Sequence, residues 1–516
     1  MARAQRRVTC TAAAMAMATA ASALGQSAAT QPAGAPAVAP ADSILSEYVP
    51  QAPPNPDPPP YSLLRFNEDY GYLSDPQRRT DPFDGLKYIP LGGADPDVYL
   101  SLGGGIRERY EHFTSPGFGT PGQPVRDDYL IQRVTLDADL HLGEPFRVFV
   151  QGISGLQLGG SRAPSAIQND AVDLQQAFGD FKLSNAAAAQ PEYLIVRGGR
   201  FELSLGAGRL VATRAAPNIP FKFDGVQLIG AAGGGHVYAF LTKPGRENKY
   251  DFDDETPGQQ FWGVYYTTPQ LFGAPTGTAT ALSPASANGP LRADVYYLGF
   301  KDHDARYANV SGLEERHTFG TRLFGKAGGF DYDVEPIVQT GRVGDRGVLA
   351  WTVGSTFGYS FDAGWRPRFG LNADIASGDT GHGGGGRFGA FNPLYFKSGY
   401  FNDASLIRPS NIIDVHPNVQ LHPADTFLVN LGSDVVWRYT TNDGIYGPGG
   451  NLELPAGSSG GGSHYLATTA EASVEWELQR HLVWTTSYVH VFGGDYVTAS
   501  RGHDVDFVGS WLDFTW

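Results

Sequence analysis

The last thirteen residues of the chain, Asp504 to Trp516, read DVDFVGSWLDFTW. Trp516, Phe514, Leu512 and, past Ser510, Val508 fall on alternate positions, with the polar Asp513 and Thr515 between them. A strand has a side-chain period of two, so this segment carries one apolar face and one mostly polar face. The pattern recurs. In 128–142, Leu130, Val134, Leu136, Ala138, Leu140 and Leu142 alternate with Tyr129, Arg133, Thr135, Asp137, Asp139 and His141. In 425–439, Phe427, Val429, Leu431, Val435, Trp437 and Tyr439 oppose Asn430, Asp434 and Arg438. In 466–478, Leu466, Ala470, Ala472, Val474, Trp476 and Leu478 oppose Glu471, Glu475 and Glu477. A soluble sandwich also alternates, with its apolar face buried. Many such strands with charges on the second face instead point to a wet interior and an apolar exterior, the pattern of a transmembrane barrel.

Alternating segments number eighteen: 98–113, 127–142, 145–156, 171–184, 192–205, 223–231, 235–243, 259–268, 291–302, 315–327, 329–341, 348–362, 365–379, 409–422, 425–440, 464–479, 481–493 and 503–516. An even number suits a bacterial barrel with both ends in the periplasm. Turns after the second, tenth, twelfth and fourteenth segments are short. Connections after odd segments run longer: 114–126, 157–170, 206–222, 244–258, 380–408 and 441–463. Short periplasmic turns and long outer loops give the barrel its orientation. The long Ala/Pro/Thr stretch 269–290 falls on the periplasmic side against that rule, which marks either a plug or a miscounted strand there. The fold class is therefore all-β, a single antiparallel barrel of about 18 strands in the bacterial outer membrane.

The address agrees. Residues 1–25 read as a secretory signal, with Arg3, Arg6 and Arg7 ahead of an Ala-rich apolar run from Val8 to Leu24. No other stretch approaches about 18 unbroken apolar residues, so no helix is expected to span a membrane. The single cysteine, Cys10, lies inside the signal, which leaves the mature chain without disulfide or thiol chemistry. Residues 26–60 form a Pro/Ala-rich linker and 61–97 an ordered periplasmic lead-in, followed by the barrel over 98–516. A formal net charge of −15 argues against a nucleic-acid partner.

Several stretches resemble the alginate-export family of outer-membrane barrels. They include Leu174-Gln175-Gln176-Ala177-Phe178, Gly199-Arg200-Phe201-Glu202-Leu203 with Gly208-Arg209-Leu210, and Phe223-Asp224-Gly225-Val226. Glu315 to Gly325 followed by Phe330-Asp331-Tyr332-Asp333 continues the series. Ala376-Ser377-Gly378-Asp379, Phe391-Asn392-Pro393-Leu394, Asn411-Ile412-Ile413-Asp414 and the closing Asp504 to Gly509 complete it. The resemblance runs from about Tyr61 to Trp516. It implies a monomeric eighteen-stranded barrel with an arginine-lined pore that passes an anionic polyuronate outward. The implied partners are outer-membrane lipid, the polysaccharide or another solute, and a periplasmic polysaccharide-secretion component; no cofactor is implied.

A polyanion needs cationic groups along its path, and arginine forks match carboxylates bidentately. Strand phase makes Arg107, Arg109, Arg133, Arg147, Arg197, Arg322, Lys326, Arg366, Arg368 and Arg438 lumen-facing candidates. Arg200, Arg209 and Arg214 lie near the stretch leading into the third outer loop. Arg107, Arg133, Arg200, Arg209 and Arg322 lead the list for substrate contact. The alternative is that these arginines pair with wall carboxylates such as Glu111, Asp139, Asp331, Asp333 and Glu335 to fill a wet interior. Asp251, Asp253, Asp254 and Glu255 are a Ca²⁺ candidate in one outer loop, against a simple solvated acidic loop. His416 and His422 read as wall residues, and Gly457 to Gly461 matches G-x-S-x-G without the helix a nucleophile elbow needs. The Gly383 to Gly386 run reads as a loop tip. The expected activity is passive transport with no covalent chemistry. A porin for small solutes such as sugars or aromatic acids is the alternative, and an outer-membrane hydrolase would need a Ser–His pair at the rim.

Overall fold

The computed structural model describes residues 61–93, 95–184, 192–272, 291–381, 386–456 and 462–516. The expected signal and linker lie outside the described residues, as do 273–290 of the plug stretch, the G-x-S-x-G match and Gly383 to Gly385. Eighteen antiparallel strands close into one barrel. In chain order they are β1 Val98–Thr114, β2 Arg126–Leu142, β3 Phe146–Gly159, β4 Asp170–Ser184, β5 Tyr193–Phe201 and β6 Phe223–Ala232. Then come β7 Gly235–Arg246, β8 Gln260–Thr267, β9 Arg292–Arg306, β10 Ser311–Ala327, β11 Phe330–Val343 and β12 Arg346–Ser360. The last six are β13 Arg368–Ala376, β14 Ile412–Ala424, β15 in two pieces (Phe427–Gly432 and Val435–Arg438), β16 Tyr465–Gln479, β17 Leu482–Gly493 and β18 Val505–Thr515. Each coincides with one alternating segment of the sequence. β5 is the main boundary correction: it ends at Phe201, and 202–205 belongs to the loop that follows.

Closure is made by β1 and β18, in register from Gly105↔Thr515 to Phe113↔Phe507. The phase of that pairing fixes which side chains face lipid. Ile106, Leu136, Val148, Leu241, Val295, Phe319 and Trp476 are exposed on the outer wall. Residues of the opposite phase, such as Arg107, Asp139 and Arg322, are buried in the lumen. An exposed apolar surface of this extent is costly in water and satisfied in a bilayer. Crossing is by strands; no helix among the described residues is long and apolar enough to span a membrane. The two ends differ, with the turns 143–145, 233–234, 328–329, 425–426 and 480–481 tight at one end. The other carries the long loops 202–222, 377–411 and 439–464. Two loops on that outer end, 307–310 and 344–345, are short as well.

The segment from Tyr61 enters the barrel at the tight-turn end. Leu64 is fully buried, and the Phe66 ring meets the inward rings of Phe149 and Phe178 edge-on at 5.9 Å and 5.3 Å. Arg65 donates to Gly104 O at 3.1 Å and Trp516 O at 3.0 Å, so it binds both strands of the closing seam. The Tyr61 hydroxyl lies 3.1 Å from His481 Nδ1, whose Nε2 is 2.8 Å from Asp81. Lys87, in the short helix Asp84–Lys87, is buried against the Tyr70 ring. Aromatic burial here is an apolar anchor, and the charged groups aim it.

Burial, reinforced by the nearby Arg65 charge, pushes the Lys87 ammonium down to about 8. The unfolded chain holds that proton up to roughly pH 10.4. The docked segment therefore binds fewer protons than the unfolded one between those values, and its stability rises with pH across that window. The urea midpoint should climb from about pH 8 to about pH 10, and a Lys87→Met variant should show no such climb. On the outer wall, Leu136 is 60% exposed near the middle of β2. Leu136→Arg should cost about 2–4 kcal/mol of folding into vesicles, read by urea titration, whereas a soluble sandwich would tolerate the change.

Candidate functional site in the barrel lumen

After β5 the chain leaves the wall, and the loop 202–222 crosses the lumen. Leu203, Leu205, Leu210, Val211 and Ile219 are buried there, which holds the loop inside against water. It meets the loop 377–411 in backbone hydrogen bonds: Ala212 N–H to Tyr395 O at 2.8 Å, Tyr395 N–H to Leu210 O at 2.9 Å and Lys397 N–H to Gly208 O at 2.9 Å. The Tyr395 ring packs among Phe221, Phe223 and Phe261, with centroids 5.0–5.2 Å apart. These two segments were read from sequence as connections outside the barrel. Their apolar residues lack strand or helix periodicity, so only the fold shows them to be lumen elements.

The arginines of the lumen divide by partner. Arg209, on the inward loop, donates to Asp333 Oδ1 at 2.6 Å and Glu335 Oε2 at 2.9 Å. Arg322 donates to Asp333 Oδ2 at 2.7 Å and Asp294 Oδ2 at 3.0 Å. Tyr265 and Tyr296, stacked with centroids at 5.0 Å, donate to Asp294 and Glu335 at 2.6 Å each. Tyr296 lies flat across the neighbouring strand only because position 320 is glycine: a Cβ there would stand 2.1 Å from the ring. Three carboxylates, two guanidiniums and two phenols thus form one network spanning β8 to β11 and the loop. Elsewhere Arg147 takes Asp139 at 2.7 Å and 2.5 Å, Arg368 takes Asp331 at 3.0 Å and 2.6 Å, and Arg109 takes Glu111 at 2.5 Å. Arg197 holds Asp180 at 2.8 Å and 2.9 Å and stacks on Phe66 and Phe178.

Arg107 and Arg133 are different. They face each other in register on β1 and β2. Arg107 donates to Ala215 O at 2.8 Å, Ala216 O at 2.9 Å and Pro217 O at 3.3 Å. Arg133 donates to Ala215 O at 3.3 Å and Asn218 O at 3.4 Å. Their forks grip neutral carbonyls of the inward loop, with one carboxylate, Asp513, in register with Arg107. Arg438 donates to Ser463 O at 3.1 Å and lies over the Tyr496 ring.

Two candidates fall outside the lumen. Arg200 shares the outward phase of Val196 and Leu194, and holds Asp224 on the outer wall through two hydrogen bonds of 2.8 Å. Around that pair is a pocket of about 470 Å³ with Leu174, Ala177 and Phe252 in its lining. Arg366 stands in the turn after β12, partly exposed and 2.8 Å from Asp425. The acidic loop also separates. Glu255 pairs with Lys243 at 2.5 Å, Asp254 lies 4.0 Å from Arg246, Asp251 is exposed, and Asp253 alone turns inward to the wall. His416 pairs with Glu471. Arg316, fully buried, was missed: it binds Glu314 at 2.5 Å, Gln339 at 2.8 Å and Ala390 O of the loop 377–411 at 3.2 Å. It shares the phase of Arg322 and was readable from that alone.

A closed barrel with an apolar exterior, a charged interior and loops folded into its bore is an outer-membrane channel. A sequence model described as alginate export matches residues 98–510, and the chain belongs to the alginate-export family. Among solved structures it is similar to a BenF-like porin from Pseudomonas fluorescens Pf-5, at 10% identity and a TM-score of 0.51, covering 81% of this chain and 98% of that one. OccK9 (OpdG) of Pseudomonas aeruginosa is similar at 13% identity and a TM-score of 0.51, with the same coverage. At these identities the likeness is one of fold. No curated protein matches the chain by sequence.

Arg322 and its two carboxylates are almost wholly shielded from solvent. Arg322→Ala would leave Asp294 with the Tyr265 hydroxyl but no counter-charge, and Asp333 with Arg209 alone. The loss should be about 3–5 kcal/mol, read as a lower urea midpoint.

Proposed function

We propose that the channel passes an anionic polyuronate through its lumen by passive diffusion, with the Arg107–Arg133 pair as the cationic contact on the path. The observation that carries this reading is the partner choice of those two arginines. Both forks donate to neutral carbonyls rather than to a carboxylate, with Asp513 in register with Arg107 and Glu202 of the inward loop near Arg133. A sugar carboxylate moving past would meet an attractive field concentrated by the low-dielectric wall. Family membership supports a polyuronate as cargo. On this reading the chain acts as a monomer, residues 98–516 are the channel, and the lead-in 61–97 sits where a periplasmic secretion component would hand over the polymer.

A second reading has its own support. Arg147, Arg197, Arg209, Arg322 and Arg368 are each tied to a wall carboxylate, a mixed-charge lining that suits small solutes such as sugars or aromatic acids. Single-channel recording in planar bilayers separates the two. The polyuronate reading expects an anion-selective current blocked by polyuronate and not by a neutral glycan. An Arg107→Gln, Arg133→Gln double variant removes the charge and should weaken the block by roughly tenfold. A current indifferent to polyuronate would sink the first reading and leave the second.

A further inference from the structure

Three carboxylates from two distant stretches meet at the outer rim of the barrel. Asp170 and Asp173 begin β4, and Asp253 comes from the loop 247–259 that follows β7. Each offers an oxygen, and these oxygens lie within 4.8 Å of one another. All three side chains are buried, Asp170 completely. Asp173 accepts the Asp253 N–H at 2.9 Å, the Lys222 ammonium touches an oxygen of each, and Asp253 also accepts the Asn248 N–H.

Asp170 stands apart. Both of its carboxylate oxygens are shielded from solvent, and neither has a hydrogen-bond partner among the described residues. An ionised carboxylate is not held in such a place without a counter-charge. Three carboxylates face one ammonium, because Arg200, 4.0 Å from Asp173, is committed to Asp224. The excess of two negative charges equals one divalent cation. Two oxygens bound to the same Ca²⁺ at about 2.3–2.6 Å lie at most about 5 Å apart, and oxygens within 4.8 Å of one another meet that limit.

We propose that Asp170, Asp173 and Asp253 form a site for a hard divalent cation, with Ca²⁺ preferred. Carboxylate oxygens in irregular array suit Ca²⁺, with water completing the shell, whereas Mg²⁺ demands near-octahedral geometry. The cation ties the loop 247–259 to β4, where Ala171 N–H already donates to Lys249 O at 3.2 Å. Through Lys222, which ends the inward loop, it also anchors the far side of the segment that Arg107 and Arg133 hold. The site is thus a clamp on the lumen loop, set by divalent cation outside the cell.

The test uses the folded channel in detergent, stripped with EDTA and titrated with CaCl₂ and MgCl₂ by calorimetry and thermal unfolding. One Ca²⁺ per chain is expected, with Kd of about 10⁻⁵–10⁻³ M and weaker Mg²⁺ binding. Saturation should raise the unfolding midpoint by about 1–3 °C. Asp170→Asn removes charge but no side-chain hydrogen bond of the protein, so it should fold. It should weaken Ca²⁺ by at least about tenfold and abolish the thermal shift. Absence of both heat and thermal shift in the wild type up to about 10 mM Ca²⁺, or equal binding by the Asn variant, overturns the proposal.

Discussion

Backbone hydrogen bonding in a medium without water is the constraint on which the rest of this molecule depends. A strand in lipid has no solvent to satisfy its N–H and C=O groups, so every strand needs two neighbours and the sheet must close. The seam between β1 and β18 does this. Gly104 and Trp516 exchange hydrogen bonds of 3.2 Å and 3.1 Å at its end, and Arg65 of the lead-in donates to the same two carbonyls. Once the seam is in register, the period of two assigns every side chain of the wall to lipid or lumen.

That assignment puts many charges inside, and their pairing shapes the bore. A buried charge must be matched or solvated, so inward arginines find carboxylates on adjacent strands or on the loops that enter. The network of Arg209, Arg322, Asp294, Asp333 and Glu335 joins the wall to the inward loop, and Arg316 does the same for the loop 377–411. The aromatic cluster around Tyr395 gives these loops an apolar core of their own. Arg107 and Arg133 depart from that rule, because their forks turn to neutral carbonyls of the inward loop.

Much of the wall was legible beforehand. Strand phase sent Arg107, Arg109, Arg133, Arg147, Arg322, Arg368 and Arg438 inward, and the structure places them there. Phase failed at a strand end, where Arg366 sits in a turn and alternation has already stopped. Arg200 came from the resemblance rather than from phase, and it follows the outward phase of its strand. In the acidic loop, read as a Ca²⁺ candidate against a solvated loop, three acids are exposed, and only Asp253 turns inward to join Asp170 and Asp173, which are distant in the chain.

Sequence by itself determined the class of fold, the number of strands, the closing segment and the face each wall residue takes. These are local properties, written in a period-two pattern that any extended segment must obey. Partner choice was decided by the tertiary structure. Which carboxylate meets which arginine, that 202–222 turns into the lumen, that Tyr61 to Lys87 docks at the tight-turn end, and that Asp170 has no hydrogen-bond partner among the described residues all depend on contacts between distant residues. Strand alternation says only which way a side chain points; the closed barrel and its inward loops decide what it meets.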